Sequence, residues 1–522
     1  MTPAPVVPQD LPAIRVVRGT VASSTLLHDE GVDALVLPVA PASDDDEGVQ
    51  PRTGTADAAA RYGIDLSDLA DRLEVTGAAG EVQTVQLPRG VGTSRDLPWD
   101  GLPRRVVLVG IGAGRPADLR RAGAAVARST RGLRRVVTTT GADAGQDGVR
   151  ALVEGYLLGC YRHPSRATRK PPPGPAEELV LLGRHTESAV EAGRLAARAT
   201  WTARVLTATP SDTKNPQWLA EQARQLGEAA GLRVEILEPA ALEEAGFGGI
   251  LAVGRGSAHG PRLVTLRYEP PQGTSERPGR HVVVVGKGIT YDTGGLSIKA
   301  REAMVPMKTD MAGAAVALAT VLGAAAAGLR HRVTAVLPLA ENAVGASSYR
   351  PGDVLRVYGG TTVEIANTDA EGRIVLADGL AHATADLDPD ILVDVATLTG
   401  AASQGLGKHH GALFTPDDRL ARAFEDAGAA AGEPLWRMPL VEDYRSATRS
   451  TVADLRHVPG EVAVGAGAVT AALFLQAFVG ANRWVHLDVA GPARAASSSH
   501  EVVEGATGFG ARLLLRWLAQ LR

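Results

Sequence analysis

The chain has 522 residues, 45% of them hydrophobic and 21% charged, with a formal net charge of −4. That length calls for at least two domains with ample core, and the acidic balance argues against a dedicated nucleic-acid or polyanion binder. A single cysteine, Cys160, excludes an internal disulfide and a cysteine-based zinc site, and fits a reducing cytoplasm.

Met1-Thr2-Pro3-Ala4-Pro5 lacks the basic and apolar regions of a secretory signal. Apolar strand-like runs at 34–38, 105–109 and 179–182 alternate with Ala-rich helical stretches, the pattern of an α/β sheet. Asp44-Asp45-Asp46-Glu47 reads as a solvated turn rather than a cation site. Gly110-Ile111-Gly112-Ala113-Gly114 follows a strand, but its spacing departs from the dinucleotide-binding fingerprint and no acidic partner follows. Cys160 lies by a Pro-rich stretch and is a weak candidate nucleophile. Pro171-Pro172-Pro173-Gly174-Pro175 is stiff and extended.

A helical run at 187–207 then reads as a connector. The expected division is an N-terminal α/β domain at 1–183, a linker helix at 184–208 and a second, larger α/β domain at 209–522. Within the last, strands are predicted at 234–237, 281–285, 333–337 and 391–395, with helices such as 217–230 and 374–383 between them. The Ala- and Gly-rich stretch 314–329 falls short of the roughly 18 residues that cross a bilayer, and predicts a helix packed on a sheet. No Gly-x-Ser-x-Gly elbow and no His-Glu-x-x-His occur, and His409-His410 reads as part of a loop.

Charge is concentrated after the run at 281–285, which predicts a buried parallel strand. Lys287, Asp292, Lys299, Asp310, Asp369, Glu371 and Arg373 follow in an apolar, Gly-rich setting. Charges at the end of a buried strand are costly unless paired or bound to metal. One reading is an ion network of these acids with Lys287, Lys299, Lys308 and Arg373. The other is a site for divalent cations, which prefer oxygen ligands and, for zinc, accept an amine. Asp369 and Glu371, two apart, would share one face of a strand. Asp292 sits in a Gly-rich turn, Asp292-Thr293-Gly294-Gly295, of the kind that presents ligands past a strand end.

Asn367-Thr368-Asp369-Ala370-Glu371-Gly372-Arg373 resembles the signature of the leucyl aminopeptidase family of metallopeptidases. The segments from Val285 to Lys299, Met307-Lys308-Thr309-Asp310-Met311, Tyr349-Arg350-Pro351-Gly352-Asp353, Ala396-Thr397-Leu398-Thr399-Gly400-Ala401, His486-Leu487-Asp488-Val489-Ala490-Gly491 and Gly505-Ala506-Thr507-Gly508-Phe509-Gly510 are similar to further blocks of that family, in the same order. The resemblance runs from about Gly246 to the C-terminus; the first 180 or so residues match only in general layout. It implies a smaller N-terminal macro-like α/β domain and a larger C-terminal catalytic domain with a mixed central sheet flanked by helices.

The resemblance also implies roles. Asp292 and Glu371 would bridge two divalent ions, Mn²⁺ or Zn²⁺. Lys287, as a neutral amine, and Asp310 would complete one site, and Asp369 the other. Lys299 and Arg373 would be catalytic without being ligands, Arg373 holding a bicarbonate that serves as general base. Met307, Thr397, Leu398 and Gly400 would line the pocket for the first side chain, favouring Leu or Met. The implied activity is removal of N-terminal residues from peptides by a cytoplasmic homohexamer with no membrane association. Two departures stand out. Thr209-Pro210 lies in a sequence where the family has an Asn-Thr-Pro-like stretch, and His457 stands where Asn is common.

Two other functions compete. A DNA-binding accessory or regulatory role, known in the same family, is disfavoured by the acidic net charge. A two-metal phosphoesterase is disfavoured by an amine in the ligand set and by the motif order.

Overall fold

The computed structural model describes residues 10–43, 48–89, 97–168, 170–271, 279–460 and 464–522. The acidic run 44–47 and the first nine residues, including Met1 to Pro5, lie outside the described residues. Two compact units emerge: the described residues up to Arg198 with Ser497–Val503, and Ala199–Ala496 with Glu504–Arg522.

In the first unit, strands β1 (Ala13–Val17), β2 (Val32–Ala40), β3 (Val82–Gln86), β4 (Arg105–Gly110), β5 (Arg135–Thr138) and β6 (Glu178–Leu182) form a sheet. Their order is β1-β6-β5-β2-β4-β3, with β3 antiparallel to β4 and the other pairs parallel; a seventh, two-residue strand at Gln50–Pro51 pairs antiparallel with β2. Helices α1 (Pro116–Ser129) and α2 (Gly145–Cys160) pack at glycine contacts; a Cβ on Gly155 would meet the Arg120 carbonyl oxygen at 1.9 Å. A buried Arg120–Glu154 ion pair (3.0 Å), joined by Arg150 (2.7 Å), ties these helices together. The glycine-rich segment 110–114 leads from β4 towards α1. Helix α3 (Glu187–Ala208) carries the chain into the second unit.

That unit is built on a nine-stranded mixed sheet. Its strands are β7 (Arg233–Leu237), β8 (Arg262–Tyr268), β9 (His281–Gly286), β10 (Gly288–Asp292), β11 (Arg332–Asn342), β12 (Ile391–Ala396), β13 (Gly411–Phe414), β14 (Leu435–Arg437) and β15 (Arg483–Asp488). The order is β14-β13-β15-β12-β9-β11-β8-β7, with β10 added to β11. Strands β9, β11, β12 and β15 run parallel in the middle and are almost wholly buried, because helices cover both faces. Their carboxyl ends, with that of β10, therefore meet at one edge, where ligands bind in open α/β sheets.

Helix α4 (Ala312–Ala326) is apolar all round and buried, as a helix inside a large core must be. The helical turns before it lengthen the run to Arg301–Ala326, 26 residues, which is long and apolar enough to cross a bilayer. This corrects the expectation from 314–329; yet 83% of the apolar window is packed inside the protein, as in a core helix. The helix predicted at 374–383 is likewise longer, α5 (Glu371–Asp386).

Close approach of α4 to the sheet rests on Gly313, where a Cβ would meet the Val395 carbonyl oxygen at 2.1 Å and the Lys287 nitrogen at 2.8 Å. Gly313→Ala is expected to cost about 1–3 kcal/mol, because backbone on both sides must move. Urea unfolding of the variant checks this; an unchanged midpoint would show that the contact is looser than described.

Candidate metal centre

The end of β9 delivers Lys287, whose backbone N–H still donates to the Val395 carbonyl at 3.0 Å, so its side chain emerges from inside the sheet. Gly372 makes room for it, since a Cβ there would lie 2.4 Å from Lys287 Cε. The Nζ donates to the Thr397 carbonyl (3.0 Å) and pairs with Asp310 Oδ2 (2.9 Å) and Glu371 Oε1 (3.0 Å). Asp292 ends β10, and the turn after it uses Gly294 and Gly295 at φ of 87° and 60°, values that favour glycine. Its Oδ1 accepts from the Gly294 N–H and Asn342 Nδ2, both at 2.8 Å. Lys299 Nζ pairs with Asp292 Oδ2 at 2.8 Å and with Asp369 Oδ1.

Asp369 and Glu371 do not share a strand face. Asn367 caps a tight turn, its Oδ1 accepting from the Asp369 N–H at 2.9 Å, and Glu371 is the first residue of α5. The turn and the helix start, rather than a period of two, bring both carboxylates to the same place. Thr368 fastens this turn to the Asp292 loop: its hydroxyl donates to the Gly294 carbonyl (2.7 Å) and accepts from the Ser297 N–H (2.7 Å). Asn342 Nδ2 and the Tyr349 hydroxyl both donate to the Thr368 carbonyl, at 3.0 and 2.9 Å.

All seven charged residues line one cavity of about 330 Å³, together with Met307, Thr397, Leu398 and Gly400. Thr397 also donates to Asp310 Oδ1 at 2.7 Å, and Asp488 accepts from the Leu398 and Thr399 N–H groups at 3.1 Å, which fixes that wall. By contrast, His409-His410 lies in a loop just before β13, and Cys160 is buried in the other unit, where burial pushes its thiol up to about 12.

The donor set fits divalent cations. Carboxylate oxygens of Asp292, Asp369 and Glu371 lie within 4.8 Å of one another, and Glu371 Oε2 is buried with no hydrogen-bond partner among the described residues. Burial, aided by neighbouring carboxylates, raises Asp292, Asp310 and Asp369 above the usual carboxylate range; the lysines beside them act the other way. Burial pushes the Lys287 ammonium down, but Asp310, Glu371 and Asp292 outweigh it and hold its pKa above the ordinary value. Lys299 is held high in the same manner by Asp292 and Glu371. Such mutual repulsion among acids is what a cation relieves.

Several residues outside the expected site set support it. Asn342 and Tyr349 brace the Thr368 carbonyl, and Lys214 is a buried lysine whose Nζ donates to the Thr207 and Lys308 carbonyls at 2.7 and 2.6 Å. It thus holds the segment that carries Met307 and Asp310. His457 also gains a role. Its carbonyl accepts from Arg373 Nη1 at 2.7 Å, while its Nε2 lies 2.8 Å from the Asn367 carbonyl and its Nδ1 3.4 Å from the Ala366 nitrogen. Nδ1 also lies 3.1 Å from the Glu364 carbonyl, so the ring sits among three backbone groups that a neutral imidazole, with one donor and one acceptor, serves only in part.

Residues 201–515 match the catalytic domain of the Cytosol aminopeptidase family, and residues 36–170 match its N-terminal domain. A probable cytosol aminopeptidase of Mycobacterium leprae is 38% identical over 524 residues, covering 96% of both chains. One from Rhodococcus jostii is 42% identical over 480 residues, covering 88% of this chain and 89% of that one. Among solved structures, the bottromycin maturation enzyme BotP in complex with Mn superposes with a TM-score of 0.80 at 36% identity, covering 94% of this chain and 99% of the other. A mutant of tomato leucine aminopeptidase gives 0.81 at 28% identity, with 98% and 97% covered.

Burial, then the Arg373 charge, pushes the His457 imidazole down to about 4. The folded protein therefore keeps it neutral, whereas the unfolded chain takes up a proton near the ordinary histidine value of about 6.5. The stability it contributes is complete above about 6.5 and is lost as the pH falls from there towards 4. His457→Asn is expected to lose less melting temperature than the parent between pH 7 and pH 5. Parallel curves for the two proteins would refute this.

Proposed function

Because the chain belongs to the cytosol aminopeptidase family, we propose that its metallo-aminopeptidase activity uses two divalent ions held by Lys287, Asp292, Asp310, Asp369 and Glu371. The observation that carries this reading is the convergence of these five groups, with Lys299 and Arg373, on one cavity at the carboxyl edge of the sheet. Asp292 and Glu371 would be shared between the two ions, Lys287 and Asp310 would complete one site, and Asp369 the other. Mn²⁺ and Zn²⁺ both suit this donor set. Bound there, such ions supply Lewis acidity for activating water and polarising the scissile carbonyl.

The protein's own residues do the rest. Lys287 ligates only after giving up its proton, so ion binding should release protons and strengthen with pH. Lys299, once its carboxylate partners are shared with cations, presents an ammonium to the oxyanion of the tetrahedral intermediate. Burial lowers the Arg373 guanidinium to about 10, so it stays charged at neutral pH. Its Nε has no partner among the described residues, which supports its holding a small anion such as bicarbonate as general base. Met307 and Leu398 give the cavity apolar surface suited to Leu- or Met-like N-terminal side chains.

The same reading makes the chain a cytoplasmic homohexamer acting on peptides. Exposed apolar side chains in the catalytic unit, Ile298 (65%), Val305 (67%), Trp436 (60%) and Val452 (66%), support burial between copies. Sedimentation of a fully active monomer would overturn the assembly.

The chemistry is tested with metal-stripped protein and leucyl p-nitroanilide. Mn²⁺ or Zn²⁺ is expected to restore turnover, and the Asp369→Ala, Glu371→Ala double variant to lose both ion binding and activity. Lys299→Met should lower kcat by about a hundred- to a thousand-fold with ion content retained. Full activity in the double variant would sink the mechanism.

A further inference from the structure

Two more cations line the same cavity, and the mechanism uses neither. Lys408 follows helix α6 (Gly400–Leu406) after a turn at Gly407, whose φ is 71°. Arg494 lies just after the Ala490-Gly491-Pro492-Ala493 segment. These two stretches are packed against each other: a Cβ on Gly491 would lie 2.3 Å from the Gly407 carbonyl oxygen and 3.6 Å from the Ser403 Cα. Both side chains therefore reach the cavity from adjoining backbone, alongside Ser403, Ala490 and Ala493.

Their partners set them apart from the other cations there. Lys287 and Lys299 each face two carboxylates. Among the described residues the Lys408 Nζ meets only a hydroxyl, Ser403 Oγ at 2.6 Å. Arg494 is partly buried, and among the described residues its guanidinium makes no hydrogen bond or ion pair; burial alone bears on it and lowers its pKa. A guanidinium taken partly out of water without a counter-ion is unfavourable by itself, and its planar fork matches a carboxylate. In a cavity already carrying apolar surface for one side chain, the missing anion has a natural source in the peptide.

Resting on the aminopeptidase reading, we propose that Arg494 and Lys408 form a carboxylate-recognition subsite for the substrate. The carboxylate comes either from an acidic N-terminal side chain or from the free C-terminus of a dipeptide. Either way the enzyme favours a substrate that carries this carboxylate over its neutral isostere.

The test uses Mn²⁺-loaded enzyme and isosteric pairs. One arm compares glutamyl with glutaminyl p-nitroanilide, the other Leu-Leu with Leu-Leu amide, as ratios of kcat/KM. In one arm the parent enzyme is expected to favour the carboxylate about ten-fold or more, as a charge-assisted hydrogen bond provides. Arg494→Gln should bring that ratio close to one, Lys408→Gln should lower it, and Arg494→Lys should keep part of it. The arm that responds identifies the source. Ratios near one in both arms for the parent enzyme, or ratios unmoved by Arg494→Gln, would overturn the subsite. Failure of the parent enzyme to hydrolyse leucyl p-nitroanilide would instead overturn the aminopeptidase reading.

Discussion

Four carboxylates gathered at one end of a sheet are tolerable only because two lysine ammoniums are gathered with them. Lys287 binds Asp310 to Glu371, and Lys299 binds Asp292 to Asp369, so the acids are tied in two pairs by one cation each. The surrounding structure serves this arrangement. Gly313 lets α4 approach the Lys287 backbone, Gly372 leaves space for its side chain, and the Gly294-Gly295 turn folds the Asp292 loop onto Thr368. Buried pairs of this kind seldom add stability, since desolvation offsets attraction, and removing one partner leaves a bare charge. Their retention here is better explained by chemistry than by folding.

A second layer keeps the first in register. Asn342 touches both the Asp292 carboxylate and the Thr368 carbonyl, coupling the end of β10 to the start of α5. His457 couples α5 to the Asn367 turn through one side chain and one carbonyl. Asp488, at the end of β15, does the same for the wall at Leu398 and Thr399. Each joins two segments that meet only in the folded chain, so displacing any of them moves a charged residue rather than exposing one.

What was legible in the sequence follows from this division. Strands such as β9, β11 and β12 announce themselves because burial on both faces demands continuous apolar runs. The charged residues stand out for the opposite reason, being ionisable where nothing else is. The spacing of Asp369 and Glu371 would suit one face of a strand, and the turn fixed by Asn367 overrides that pattern. Lys214 and His457 were invisible as supports because their partners, Lys308 and Asn367, lie 94 and 90 residues away. No local periodicity reports a contact of that range. The length of the apolar run before α4 was also missed, because Val305–Thr309 winds as a 3₁₀ turn that no amphipathic pattern marks.

The paired lysines have one more consequence. Each ammonium offsets only one of its two acids, so four carboxylates and two lysines leave an excess of negative charge at this edge of the sheet. Such an excess draws cations towards the cavity from solution. Oxygen and amine donors accept several divalent ions, so the identity of the ion becomes a matter of supply rather than a property written into the fold.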